Sequence, residues 1–232
     1  MNNHRIWELD ALRGLCILGM MAVHLLFDLT GLYGAVVFVY PPWLLFLMDW
    51  GGVAFFLISG VCATLGSRCV KRGLLVAGCG LVISAVTLVM YRMGMADRAI
   101  IIYFGVLHCL GVCMMLWAVF QKLPNWGLLV LGLILVGLGL WVRSITVNIR
   151  WLFWLGLLYP GFATSDYFPL LPFLGFFLLG GLLGRWLYGN KTSLLPHWKG
   201  CPSLQWIGRH SLPIYLLHQP ILTAILFLIY SL

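Results

Sequence analysis

The residues that could do chemistry are few, and their spacing is more telling than their number. Near the start of the chain stand Asp10, Arg13, His24 and Asp28. Wound as an α-helix at about 100° per residue, all four fall within an arc of roughly 60°, so a polar stripe runs along an otherwise apolar helix. His24 and Asp28 are i,i+4 neighbours, near enough for a carboxylate to orient an imidazole. Near the other end, in Gly208–Pro220, Ser211, Tyr215 and His218 again share one helical face. Pro220 removes the hydrogen bond to the Leu216 carbonyl and bends the helix beside His218 and Gln219. A third histidine, His108, stands between Gly105 and Gly111, which let another helix or a ligand approach the backbone closely. Imidazoles beside carboxylates move protons, as a general base or as a relay.

A basic run, Arg68-Cys-Val-Lys-Arg72, admits two readings. It can hold a loop on one side of a membrane. Alternatively Lys71 and Arg72, with Arg13 and Arg209, ring a mouth suited to phosphates, which match the donor fork of arginine. The chain has no Walker-type or Gly-x-Gly-x-x-Gly loop and no His-x-x-x-His spacing, so no metal is expected. The 7 cysteines are odd in number and form no Cys-x-x-Cys pair. Most lie in apolar segments, where a free thiol packs as a small hydrophobe.

What must position these groups follows from composition. Of the 232 residues, 62% are hydrophobic and 9% charged, with mean hydropathy +1.03. Soluble domains carry about 25% charged residues, so a soluble fold is excluded. At ~20 residues per crossing, the chain is filled by membrane helices. Spans are expected at 14–33, 44–66, 73–91, 100–120, 123–142, 168–188 and 211–230, with 151–163 too short to cross and read as re-entrant or interfacial. The first apolar run, from Leu15, has no small-x-small site behind it and reads as a permanent helix rather than a cleaved signal.

With the N-terminus inside, Arg5, Arg13, Arg68, Lys71, Arg72, Lys122, Arg185, Lys191, Lys199 and Arg209 fall on the cytoplasmic side. Arg92, Arg98, Arg143 and Arg150 fall outside. The formal charge of +8 is therefore a topology signal, and no nucleic-acid partner is implied. Asp28, Asp49, Asp97 and Asp166 sort toward the outer face. The expected fold is all-α, a polytopic integral membrane protein of seven transmembrane helices (eight if 151–163 crosses) forming a single domain over residues 1–232.

Several blocks resemble the bacterial members of the heparan-α-glucosaminide N-acetyltransferase catalytic-domain family. They are Glu8-Leu-Asp-Ala-Leu-Arg-Gly14, His24-Leu-Leu-Phe-Asp28, Asp49 through Gly60, Phe104-Gly-Val-Leu-His108, Asp166-Tyr-Phe-Pro-Leu-Leu-Pro172 and Gly208–Pro220. Together they cover nearly the whole chain. Tyr-Leu-Leu-His-Gln-Pro220 is also similar to membrane acyltransferases that O-acetylate cell-surface polysaccharides. The resemblance implies an enzyme of the bacterial cytoplasmic (inner) membrane that modifies cell-envelope glycans. Such an enzyme takes an acetyl group from cytosolic acetyl-CoA and delivers it to an amine or hydroxyl of an extracytoplasmic sugar.

On that reading Arg13, Lys71, Arg72 and Arg209 hold the CoA phosphates, while Asp49, Asp166 and Gln219 hold the acceptor. The lysosomal member is held to use a histidine in the loop after its first helix, and residues 29–48 contain none. The base is therefore expected among His24, His108 and His218, with Asp28 orienting His24. Direct transfer and an acyl-histidine intermediate are both compatible with these residues. The large luminal region of that enzyme has no counterpart here, so its heparan substrate is not carried over. A homo-oligomer is compatible with the sequence. Two other classes compete: a proton-coupled transporter or channel using the His/Asp groups as a relay, and a haem or quinone protein using paired histidines.

Overall fold

The structure is a computed structural model that describes residues 6–198 and 200–230. Arg5 and Lys199, counted above on the cytoplasmic side, lie outside the described residues. The chain is all-helical, with 72% helix and no strands among the described residues. The helices are α1 Trp7–Phe27, α2 Pro42–Leu65, α3 Cys69–Arg92, α4 Val106–Phe120, α5 Asn125–Val142, α6 Leu170–Leu187, α7 Pro202–Arg209 and α8 Ser211–Tyr230. Among the described residues six helices are long and apolar enough to cross a membrane: α1, α2, α3, α5, α6 and α8. The chain is a multi-pass membrane protein.

Two spans differ in extent from the sequence expectation, and one short helix was not foreseen. The first helix begins at Trp7, not at 14, because Glu8 and Asp10 in its first turn suit the positive end of the helix dipole. Its far end widens into a π-helical turn, Asp28–Leu32. The expected span 100–120 is helical only from Val106. A 3-10 turn, Arg98–Ile100, is followed by residues 101–105 outside any helix, with carbonyls taken by a neighbouring loop: Ser165 Oγ donates to Ile100 O (2.8 Å), Thr164 Oγ1 to Ile101 O (2.7 Å) and the Phe168 N–H to Phe104 O (3.1 Å). With 15 residues, α4 is only about 22 Å long, against a hydrocarbon core of ~30 Å. Residues 151–163, read from the sequence as too short to cross, form no α-helix. A 3-10 turn, Arg150–Leu155, is followed by turns and a single bridge between Thr146 and Leu158. The short amphipathic α7, with Pro at its first position, was not foreseen.

The chain divides into two compact units, Met1–Ile58 with Asn190–Leu232, and Ser59–Gly189. In the first, α1 packs on α7 and α8. Lipid offers apolar side chains as good an environment as protein does, so helix association in a membrane depends on close packing at small residues. Gly14 and Gly208 provide it: a Cβ on Gly14 would strike the Leu204 carbonyl, and one on Gly208 the Asp10 carbonyl. The entry to α1 is fixed as well. The buried Glu8 carboxylate accepts from the Leu194 N–H (2.7 Å) and Ser193 Oγ (2.9 Å), and Trp7 Nε1 donates to Leu195 O (3.2 Å).

In the second unit, α3 pairs with α4 and α5 with α6. Gly73 faces Gly111 and Gly132 faces Gly175, in the same small-residue mode. About 61% of the α6 span is buried inside the protein, against 11–22% for the other five, so α6 is the central helix. Trp117, against Gly181 and Phe177, fills the space between α4 and α6.

Gly14→Leu should separate α1 from α7 and lower the melting temperature of the purified protein, at a cost of about 1–3 kcal/mol or more. Gly19→Ala, where an added Cβ meets nothing within 4 Å, should be neutral or stabilising in the same thermal unfolding measurement.

Candidate active site

In the first unit α1 and α8 run side by side in the same direction, and their polar stripes face each other. The pairing can be followed along both helices. Arg13 Nη2 donates to Ser211 Oγ (2.8 Å), the His24 ring lies 4.9 Å from that of His218, and Tyr33 stacks on Tyr230 at 5.4 Å. Arg13 and His24 stand eleven residues apart and Ser211 and His218 seven, both close to whole turns of a helix, so these two facing pairs follow from the register of the two helices.

The central group is a hydrogen-bonded chain. His218 Nδ1 lies 2.6 Å from the Tyr215 carbonyl, which can only accept, so Nδ1 carries the proton and Nε2 is left as an acceptor. His24 Nδ1 is 2.9 Å from that Nε2 and donates to it. The other neighbour of His24 Nδ1 is Gln219 Oε1 at 3.2 Å, also an acceptor. Gln219 is oriented from behind: its Nε2 donates to both oxygens of Asp28, at 3.1 and 2.9 Å. All these contacts demand the same tautomer of His24, with hydrogen on Nδ1 and the lone pair on Nε2. Among the described residues, Nε2 of His24 has no hydrogen-bonding partner.

Asp28 and His218 are 2% and 5% exposed, whereas His24 and Gln219 are half-buried, so the group opens at His24. The arrangement departs from the sequence expectation in one respect. The hydrogen bonds of Asp28 go to Gln219, which in turn meets His24, so the carboxylate acts on the imidazole through an amide. Gln219, expected to touch substrate, is occupied as this link.

At the other end of the α1–α8 pair lie Arg13 and Arg209. Arg209 is engaged: its Nε is 3.3 Å from Asp10 Oδ2 and its Nη2 donates to Gln205 Oε1 (3.0 Å). Arg13 donates to Ser211 Oγ, and its buried Nε has no hydrogen-bond partner among the described residues. Asp10 Oδ2, although close to Arg209, is not aligned for a hydrogen bond. Asp49 is exposed on α2.

The second unit contains the other expected residues. His108 Nδ1 accepts from the Gly105 N–H (3.2 Å), and Nε2 lies 3.2 Å from Ser84 Oγ, whose own hydrogen goes to Ile102 O. Both ring nitrogens are therefore in use. Asp166 Oδ2 accepts from the Val106 N–H (3.0 Å). His108 and Asp166 together close the N-terminus of α4, where backbone donors lack helical partners. Lys71 and Arg72 are exposed in the first turn of α3.

Sequence reading brought His24, Asp28, His218 and Gln219 to notice, and the structure joins them. It missed Gln205 and Ser84. The i,i+4 spacing of Gln205 from Arg209 signals the first; Ser84, a lone hydroxyl in an apolar stretch of α3, had only a weak signal.

A family model described as heparan-alpha-glucosaminide N-acetyltransferase, catalytic, matches residues 5–220, nearly the whole chain. No curated protein and no solved structure matches.

Gln219→Leu strips the buried Asp28 carboxylate of both side-chain donors. Its expected cost is about 1–3 kcal/mol, read as a lower melting temperature in nanodiscs; an unchanged value would mean that the amide link is not made.

Proposed function

The chain belongs to the heparan-alpha-glucosaminide N-acetyltransferase catalytic family, and on that premise we propose that it is a membrane-embedded acetyltransferase. It moves an acetyl group from cytosolic acetyl-CoA to an amine or hydroxyl of an extracytoplasmic sugar, as an enzyme of the bacterial inner membrane with its N-terminus in the cytoplasm. The observation that carries this reading is the state of His24: Nδ1 is held by two acceptors and Nε2 is free.

A base needs that geometry. His24 Nε2 takes the proton of the acceptor O–H or N–H as the new C–O or C–N bond forms and the thioester C–S bond breaks. The same proton then passes to the CoA sulfur. While His24 is doubly protonated, its positive charge is shared through Nδ1–H with His218 Nε2 and stabilised by the Gln219 carbonyl and, behind it, Asp28. His218 is thus a positioning residue. Arg13, half-buried, is the candidate contact for a CoA phosphate, and Arg209, Lys71 and Arg72 add positive charge on the cytoplasmic side. Asp49 remains the candidate contact for the acceptor. His108 and Asp166 we assign to holding α4.

The hydrogen-bonded chain also argues against a proton-conducting relay. It ends at the Tyr215 carbonyl, which does not pass protons onward.

The membrane topology we propose has seven crossings, α4 included. Support comes from the parallel pairing of α1 and α8 within one unit. Their first residues must then lie on the same side, which requires an even number of crossings from α1 through α6. The five long helices α1, α2, α3, α5 and α6 leave an odd number unless α4 crosses, using the non-helical residues before it to make up its length. Reporters fused after Arg98 and after Lys122 should appear on opposite faces, external and cytoplasmic respectively; the same face for both would remove α4 from the count.

Purified protein should bind acetyl-CoA and acetylate glucosamine. His24→Ala should lower kcat by about 10²–10⁴-fold, and Arg13→Ala should raise the KM for acetyl-CoA with little change in kcat. Full activity in both His24→Ala and His218→Ala would overturn the assignment.

A further inference from the structure

The end of the second unit where α4 begins carries an aromatic cluster that this chemistry does not use. Phe162 is its centre, with ring centroids 5.3 Å from Tyr159 and from Tyr167, 5.7 Å from Phe153 and 6.0 Å from Tyr103. Hydrogen bonds tie together the loops that supply these rings. Tyr167 Oη donates to Phe153 O (2.7 Å), the Val147 N–H to Leu158 O (2.9 Å) and Thr164 Oγ1 to Ile101 O (2.7 Å). In the proposed topology this end lies on the outer face.

Arginines border the rings. The Arg150 guanidinium lies over the Tyr159 ring, 5.9 Å from its centroid, at cation–π distance. Arg98 donates to the Tyr103 hydroxyl, and Tyr159 and Tyr91 are within its electrostatic reach. Tyr167 is in turn within the electrostatic reach of Arg143. All three arginines are exposed, and among the described residues none forms an ion pair. Of the two carboxylates in these loops, Asp166 accepts from the Val106 N–H, and Asp97 is in no ion pair among the described residues.

This charge calls for an explanation. Basic residues outside a membrane oppose the usual bias toward cytoplasmic loops, yet three of the four arginines assigned to this face border one cluster. An aromatic ring steadies a guanidinium without using its N–H donors. Arg98 and Arg150 share Tyr159, so two donor forks meet at one ring with no carboxylate paired to either. One fork is enough for the two oxygens of a carboxylate, whereas a phosphate group has oxygens for both. We propose that Arg98 and Arg150, steadied by Tyr103 and Tyr159, form a site for a phosphate group on the outer face, carried by a sugar or by a phospholipid. The site lies beyond the acetyl-transfer reading and takes no step from it.

The test uses the full chain in phosphatidylcholine nanodiscs without acetyl-CoA. Glucosamine 6-phosphate should bind saturably by calorimetry, inorganic phosphate should compete, and glucosamine should not. Arg98→Gln and Arg150→Gln should each weaken binding by about tenfold, as expected for a lost charge-assisted hydrogen bond. Tyr159→Leu, which removes the shared ring, should weaken it too. Arg92→Gln, on α3 outside the cluster, should leave the affinity unchanged. Native mass spectrometry in detergent reads the second source: a head-group site retains phosphatidylglycerol over phosphatidylcholine, again dependent on Arg98 and Arg150.

Phosphosugar binding that needs both arginines assigns the phosphate to a sugar. Arginine-dependent retention of phosphatidylglycerol without phosphosugar binding assigns it to a lipid. Absence of both, or an equal loss in Arg92→Gln, overturns the proposal. Melting temperatures check that these exposed substitutions keep the fold. Because no acetyl-CoA is present, a failed site leaves the transferase reading intact, and absent transfer activity leaves the site intact.

Discussion

Inside a bilayer a polar side chain cannot turn to water, so each one must find its partner within the protein or line an open cavity. The architecture of the first unit follows from that constraint. α1 carries Arg13, His24 and Asp28 on one stripe, and each would be costly against lipid. α8 carries Ser211, His218 and Gln219 at matching heights. The two helices satisfy one another, and Gly14 against Gly208 brings α7, which leads directly into α8, close enough for them to do so. Packing and polar satisfaction therefore select the same register.

The same constraint leaves a single opening. Among the described residues, each side chain of the Asp28–Gln219–His24–His218 chain is tied to its neighbour, and Nε2 of His24 is left without a partner. Asp28 is remote from that atom in bonding terms but determines its state: the carboxylate orients the amide, the amide oxygen and the His218 nitrogen both ask His24 for a hydrogen, and Nδ1 supplies it. A tautomer held from two directions keeps a lone pair on the exposed nitrogen without reorganisation at the moment of reaction. In the second unit polar side chains serve a different purpose. His108, Ser84 and Asp166 spend their bonds on the backbone at the start of α4, where the helix begins late because 101–105 are held out of it.

Much of this was legible beforehand. The helical repeat placed His24 with Asp28 on one polar face and Ser211, Tyr215 and His218 on another, with Gln219 beside the Pro220 bend, and the blocks from Glu8 to Pro220 resembled the family to which the chain belongs. Other features were not. Arg13 and Arg209 look equivalent as basic residues near the same end, but Asp10 and Gln205 engage Arg209 while Arg13 turns to Ser211. His108 sits in as suggestive a sequence as His24, yet its ring is consumed by Gly105 and Ser84. Such differences depend on which groups arrive from distant parts of the chain, with separations of about 195 residues between His24 and its partners.

Composition and periodicity by themselves determined a helical membrane protein with two polar stripes, because apolar content and the 3.6-residue repeat are local properties. Tertiary structure alone decided that the stripes meet, that Gln219 stands between Asp28 and His24, and that α4 is short. The reason is physical: a hydrogen bond is made within about 3 Å, and only the packed chain brings residues from opposite ends of the sequence to that distance.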